Sequence, residues 1–359
     1  MDGQAGSEPV LDIRDFSVAY RTPRGDVRAV SKMNLALHPG EVVGLAGESG
    51  SGKSTLAYGA CRLLRPPAVI TGGSVRYQGR RMAEPVEILQ LDAGQLKQLR
   101  WREIAIVFQS AMNALNPVLS VRDQLLDVID AHLRIPRDEA HEKAGTLLDL
   151  VGIPRSRLRS YPHELSGGMR QRVSIAMALA TDPEVVIMDE PTTALDVVVQ
   201  RDILAQIVEL QEQLGFAILF ITHDLSLLIE LADRIAVMYA GQLLEIGTAH
   251  DMHHQPSHPY TKGLISSFPS LRGQRRELAG IPGTPPNMLT PPPGCPFLPR
   301  CGYGTDACRE IDMSTAPVAH SADAGHVTAC PFVLPDTPLP ERSPAAVAGR
   351  EPGHEEAGA

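Results

Sequence analysis

The chain has 359 residues, of which 43% are hydrophobic and 21% charged, and its formal net charge at pH 7 is −9. That is enough apolar material for one large core plus a smaller unit, and the negative balance argues against a nucleic-acid binder. No apolar run approaches the ~18 residues that a membrane-spanning helix needs, and the opening MDGQAGSEPV lacks the basic-then-apolar order of a secretory signal. The expectation is a protein kept in the cytoplasm that meets a membrane only through partner proteins.

Residues 1–7 read as a flexible lead-in. Val10 to Tyr20 has a strand-like pattern, and Arg21 to Asp26 (RTPRGD) supplies a turn. A second strand ends at Pro39–Gly40, and Glu41 to Ala46 is a short apolar strand feeding a glycine-rich loop. Residues 47–55, GESGSGKST, fit the G-x-x-x-x-G-K-[ST] phosphate-loop pattern. Gly47, Gly50 and Gly52 let backbone N–H groups turn inward, and the helix that follows adds the positive end of its dipole. Lys53 brings a point charge to the β- and γ-phosphates of a nucleotide, and the Ser54 hydroxyl suits Mg²⁺. A chance glycine-rich turn is the bland alternative, and a strand before with a helix after argues against it.

The segment from about 83 to 164 is richer in helix formers, with amphipathic stretches around Val121 to Leu133 and Ala140 to Leu150. It leads into Leu165 to Gln171, LSGGMRQ, where Ser166, Gly167 and Gly168 precede a helix starting near Met169. Such an end is a second anion site. One chain needs only one phosphate cradle, so this one points to a nucleotide held by another subunit, against the alternative of a plain helix cap. A strand-rich block follows: Val185 to Met188, Ala217 to Thr222 and Ile235 to Tyr239, with helices between them, which implies a parallel sheet with crossover helices. The first of these strands ends in VVIMDE. Asp189 there can support Mg²⁺ through water, and Glu190 can orient or polarise an attacking water.

Together these motifs resemble the nucleotide-binding domain of ABC transporters over roughly residues 8–250. GESGSGKST resembles the family's Walker A loop, VVIMDE its Walker B strand and LSGGMRQR its signature. The resemblance implies an α/β P-loop NTPase fold of the ABC type, with a RecA-like core, an antiparallel β subdomain and a helical subdomain at about 83–164. It also implies ATP and Mg²⁺ as ligands, with Ser49, Ser51 and Thr55 completing the nucleotide loop. Gln109, in VFQSAMNALNP, matches the Q-loop glutamine, implied to contact Mg²⁺ and to couple to membrane subunits. Ala194, Leu195 and Asp196 match the D-loop, and His223, in FITHD, the switch histidine implied to contact the γ-phosphate. Tyr20 is placed like the aromatic that stacks on adenine, although RTPRGD lengthens the gap. Taken alone, each of these is more simply a surface, core or strand residue; their joint order and spacing carry the assignment.

After about residue 250 the texture changes to Pro, Gly and Cys. HPYTKGLISSFPSL, IPGTPPN and GCPFLPRC resemble the C-terminal extension of oligopeptide and dipeptide importer ATPases, which places a small cysteine-containing domain at 251–334. Cys295, Cys301, Cys308 and Cys330 match a spacing that this group associates with a [4Fe–4S] cluster, and four thiolates suit tetrahedral zinc almost as well. His250, His253, His254 and His258 read as a polar linker rather than a metal site, Cys61 as a small buried residue, and 335–359 as a disordered tail.

The resemblance implies an ATPase that powers a bacterial peptide importer. It would sit peripherally on the cytoplasmic face of the inner membrane with two transmembrane permease subunits and a second ABC ATPase, a paralogue forming a heterodimer. An extracytoplasmic peptide-binding protein would act indirectly, and no nucleic acid would be involved. The alternatives are a soluble ABC ATPase of DNA repair or translation, and an importer ATPase for another solute such as a metal ion.

Overall fold

In the computed structural model the described residues are 8–109, 114–193, 195–267, 280–318 and 325–332. The flexible lead-in and the disordered tail expected from sequence lie outside them, as does Ala194.

β1 (Leu11–Thr22) and β2 (Gly25–Leu37) form a long antiparallel hairpin. The turn is tighter than RTPRGD suggests, because Arg21 still pairs with Asp26 and Thr22 with Gly25. β3 (Val42–Ala46) then runs into the phosphate loop and α1 (Lys53–Ala60). β4 (Ala68–Tyr77) and β5 (Val86–Glu87) complete a four-stranded sheet in the order β2-β1-β4-β5.

The segment read as helical holds α2 (Ala93–Leu99), α3 (Val121–His132) and α4 (Arg137–Leu150), but also two strands, the two-residue β5 and β6 (Ile104–Val107). In β6 the pattern is fully apolar: its four residues, IAIV, are all buried and pair in parallel with β7 (Val185–Asp189). A four-residue apolar run has no period to separate it from helix, which is why the sequence pattern missed it. α5 (Gly167–Leu179) precedes β7, and α6 (Val197–Leu214) follows it. Then come β8 (Ala217–Ile221), α7 (Leu225–Leu231), β9 (Arg234–Tyr239) and β10 (Gln242–Thr248).

The central strands β9-β3-β8-β7-β6 are parallel, as the crossover helices require. Both faces are covered, and the alternation is strict. Val186, Met188, Ile218, Phe220, Ile235 and Val237 face one core, with α3 to α6. Val185, Ile187, Leu219, Ile221, Ala236 and Met238 face the other, with α1 and the antiparallel sheet. Period-two alternation sends successive side chains to opposite layers, so continuous apolar runs become two cores.

The C-terminal segment is not hung on a polar linker. α8 (Ala249–His254) and α9 (Pro259–Ser266) follow β10, and His258 is buried as the cap of α9, its Nδ1 accepting the Tyr260 N–H at 3.1 Å. Burial pushes the His258 imidazole down to about 4, so it stays neutral at pH 7 and keeps that acceptor. β11 (Ala316–Pro317) and β12 (Val327–Thr328) extend the large sheet beyond β10. Glu245 of β10, fully buried, accepts the N–H groups of Ser257 and His258 at 2.6 and 2.9 Å and meets Nε2 of the buried His326 at 2.8 Å. Cys295, Phe297 and Cys308 join the same core as α3 to α6. Among the described residues no helix is long and apolar enough to cross a membrane.

Candidate ATP site

The phosphate loop is fixed by what surrounds its glycines. Gly47 and Gly52 adopt positive φ, 151° and 102°, and a Cβ on either would come within 2.1 Å of the Met238 carbonyl or 2.2 Å of the Ala29 carbonyl. Gly52 caps α1 with no side-chain hydrogen bond, so the first N–H groups of the helix remain available to an anion. Lys53, 6% exposed, curls over the loop and donates to the carbonyls of Gly47 (2.8 Å) and Glu48 (2.9 Å) and to Ser51 Oγ (3.4 Å). Burial lowers its pKa, against the pull of Glu190, Asp189 and Glu48. A phosphate would replace those carbonyls as the partner of the ammonium.

The acids at the end of β7 converge on the same place. Asp189, 1% exposed, accepts from Ser54 Oγ at 3.0 Å and from the Tyr58 hydroxyl at 2.6 Å. Burial, reinforced by the hydrogen bond to Asp189, raises the Tyr58 phenol, so it keeps its proton and donates a hydrogen bond to Asp189. A hydroxyl and a buried carboxylate in contact are hard oxygen donors of the kind Mg²⁺ takes. Glu190 stands at a positive φ of 45° and is the hub of the site. Its carboxylate accepts from Gln109 Nε2 (2.7 Å) and Thr193 Oγ1 (3.0 Å) and meets His223 Nδ1 (3.1 Å). Burial works to raise the Glu190 pKa, yet the hydrogen bonds from His223 and Thr193, with Lys53 nearby, hold it below the usual carboxylate range. It is therefore an ionised base at neutral pH.

Most of the residues singled out from sequence gather here: Lys53, Ser54, Asp189, Glu190, Gln109 and His223. Gln109 turns its amide nitrogen to Glu190 rather than to the Ser54–Asp189 pair. The Tyr20 hydroxyl bonds Thr55 Oγ1 at 3.1 Å, so the ring stands beside the start of α1. Ser166 is exposed and caps α5 by accepting the Met169 N–H at 3.3 Å, while Gly168 packs so closely on α6 that a Cβ would meet Val199 at 2.7 Å. Asp196 caps α6 through the Val199 N–H at 3.0 Å. Tyr58 and Thr193 went unread in the sequence. Tyr58 lies four residues after Ser54 and so shares its helix face, a signal that would have found it.

Cys295, Cys301, Cys308 and Cys330 line one pocket together with His258, Tyr303 and Phe332, and none of the four forms a disulfide. The donor chemistry thus collects in one place. Even so, among the described residues no three His, Cys, Asp or Glu side chains are arranged to hold a metal ion, so neither the [4Fe–4S] cluster nor zinc gains support from this geometry. Burial pushes the Cys295 thiol up to about 12 and the Cys330 thiol up to about 11, and the latter donates to the Phe332 carbonyl at 3.4 Å.

A parallel P-loop sheet, an antiparallel sheet beside it and a separate signature loop define an ATP-binding cassette. The ABC transporter family profile matches residues 30–193, and that of the oligopeptide/dipeptide transporter C-terminal region matches 244–308. Among similar proteins, the oligopeptide transport ATP-binding protein OppD of Escherichia coli is 43% identical over 91% of this chain and 94% of its own. The dipeptide transport ATP-binding protein DppD of Bacillus subtilis is 43% identical over 85% and 90%. A dimeric ATP-binding cassette solved in a post-hydrolysis state with ADP and Pi is 27% identical, with a TM-score of 0.58 over 67% of this chain and 98% of that one. The chain belongs to the oligopeptide/dipeptide-type ATP-binding proteins of the ABC transporter family, and its activity class is ATPase.

Proposed function

We propose that the chain hydrolyses ATP to power import of di- or oligopeptides, bound peripherally to the cytoplasmic face of a bacterial inner membrane. Its partners in this reading are two transmembrane permease subunits, a second ATPase that is a paralogue, and, indirectly, an extracytoplasmic peptide-binding protein. The observation that carries the peptide assignment is the match beyond the nucleotide domain, over 244–308, to a C-terminal region named for oligopeptide and dipeptide transporters.

In this mechanism the loop N–H groups and Lys53 bind the phosphates, and Tyr20 receives the adenine. Ser54, Asp189 and, after turning its amide, Gln109 would hold Mg²⁺, which supplies charge neutralisation at the phosphates. Glu190 takes the proton of the attacking water or orients it, and His223 reaches the γ-phosphate. Ser166, Gly167 and Gly168 serve the nucleotide of the opposing subunit, closing the cage and excluding water. Asp196 lies at the same seam. Hydrolysis then removes the charge that holds the halves together.

The test is Glu190→Gln, which slows hydrolysis by about 10²-fold or more while sparing ATP binding. With Mg-ATP added, membranes are solubilised gently and the co-purifying chains identified. Two polytopic proteins and a second ATPase support the reading. The chain alone, or with nucleic acid or ribosomes, would sink it in favour of a soluble ABC ATPase, and a companion binding protein for a metal ion would redirect the solute.

For the four-cysteine pocket the finer reading is a structural [4Fe–4S] cluster, with zinc as the alternative occupant; the support is the sequence spacing of the four cysteines and their gathering at one pocket, not a ligating arrangement. Iron, acid-labile sulfide and zinc contents of anaerobically purified protein decide it, and absence of all three ends it.

A further inference from the structure

The phosphate loop touches a residue that no nucleotide motif contains. Arg300, 6% exposed, comes from the C-terminal segment and donates from one terminal nitrogen to Glu48 Oε2 at 2.8 Å and to the Tyr239 hydroxyl at 3.2 Å. Its Nε donates to the Pro282 carbonyl at 2.8 Å and its other terminal nitrogen to the Ile281 carbonyl at 3.2 Å. The guanidinium lies 5.7 Å from the ring centre of Tyr239 and 5.9 Å from that of Phe297. Gly283, at φ +80°, leaves room for its stem, because a Cβ there would stand 3.3 Å from Arg300 Cγ.

Glu48 is the second residue of the loop, and each of its polar groups is held. Its N–H donates to the hydroxyl of Tyr260 on α9 at 3.0 Å, its carbonyl accepts from Lys53 at 2.9 Å, and its carboxylate accepts from Arg300. Two of these three partners belong to the C-terminal segment. Tyr239, Tyr260 and Phe297, all buried, pack against one another with ring centres 4.6 to 5.5 Å apart and form a floor beneath the pair. A buried guanidinium with a charge-assisted bond of this kind keeps its partner in one geometry. Losing either member leaves the other without its counter-charge.

We propose that Arg300 is a positioning residue for the phosphate loop: through Glu48 it holds the loop in the shape that receives ATP, so the C-terminal segment is part of the ATP site. One of the two carbonyls that Lys53 bonds belongs to Glu48 and the other to its neighbour Gly47, so a shift of Glu48 disturbs the seat of the ammonium. Coupling then runs through one contiguous chain of contacts, Arg300 to Glu48 to Lys53.

The experiment is a titration of the full chain with a fluorescent ATP analogue and Mg²⁺, with melting temperature recorded for each variant. Glu48→Gln removes the charge but keeps an acceptor of the same shape, and Arg300→Met keeps the stem. Each is expected to weaken binding about five- to tenfold, and the double variant no more than the worse single one, because both break one link. Arg300→Lys, which keeps the charge but loses the fork to Pro282 and Ile281, should fall between wild type and Arg300→Met. Hydrogen exchange should quicken in the peptide carrying residues 47–52 in each weakened variant. Overturning results are unchanged affinity for Glu48→Gln, or losses that multiply in the double variant. A lowered melting temperature with exchange raised only around 280–300 and affinity kept would likewise reduce Arg300 to an anchor of its own segment. Binding by the wild-type chain in the same titration tests the ATP site itself, so the two failures are separable.

Discussion

The phosphate loop at 47–55 and the signature loop at 165–168 both lead into a helix N-terminus, yet they engage their own chain to very different degrees. The first is enclosed: Lys53 is buried with three partners, and neighbouring carbonyls fill the space where side chains on Gly47 and Gly52 would go. The second turns outward, with Ser166 exposed and its hydroxyl spent on its own helix. The lesson is that a strand-loop-helix can be finished within one subunit, whereas a bare helix end becomes a site only when something is brought to it.

The sharpest break of this contrast is Lys53→Met. It should abolish nucleotide binding and hydrolysis, by about 10²-fold or more, since no other cation of the loop replaces the charge. Retained binding would mean that the loop amides suffice. Next comes Ser166→Arg, which should leave the isolated chain's affinity for Mg-ATP within about twofold while lowering hydrolysis by the assembled transporter about tenfold or more. Equal loss in both assays would show the signature loop acting within its own subunit and would erase the distinction. The smallest effect belongs to Tyr20→Phe, which removes only the hydroxyl bond to Thr55 and should cost about 1 kcal/mol or less of binding. Tyr20→Ala should cost more than Tyr20→Phe if the ring stacks on adenine; equal values remove that role.

What the sequence made legible was local. GESGSGKST and VVIMDE each occupy one strand end, and the apolar runs of β3, β7, β8 and β9 are short, buried and bounded by turns. Their convergence on Glu190 follows once the strands are parallel and neighbouring. What stayed hidden depends on pairs far apart in the chain. β6 needed β7 to be recognised as a strand, and β12 is two residues long and gains meaning only beside β10. His258 read as part of a polar linker because nothing near it announces the buried Glu245 that receives its N–H. Arg300 lies 252 positions from Glu48, and no spacing rule reaches so far.

β10 carries a further consequence. Gly247 has no side chain because the His326 ring occupies that space, where a Cβ would come within 2.8 Å, and Glu245 two residues earlier holds the same histidine. The C-terminal segment therefore has its socket written into the nucleotide domain. A chimera that grafts this segment onto another cassette would have to carry Glu245 and Gly247 along with it, and a minimal cassette cut after β10 would bare a strand edge and an unpaired buried acid. The unit of exchange in this architecture is the plug together with its socket.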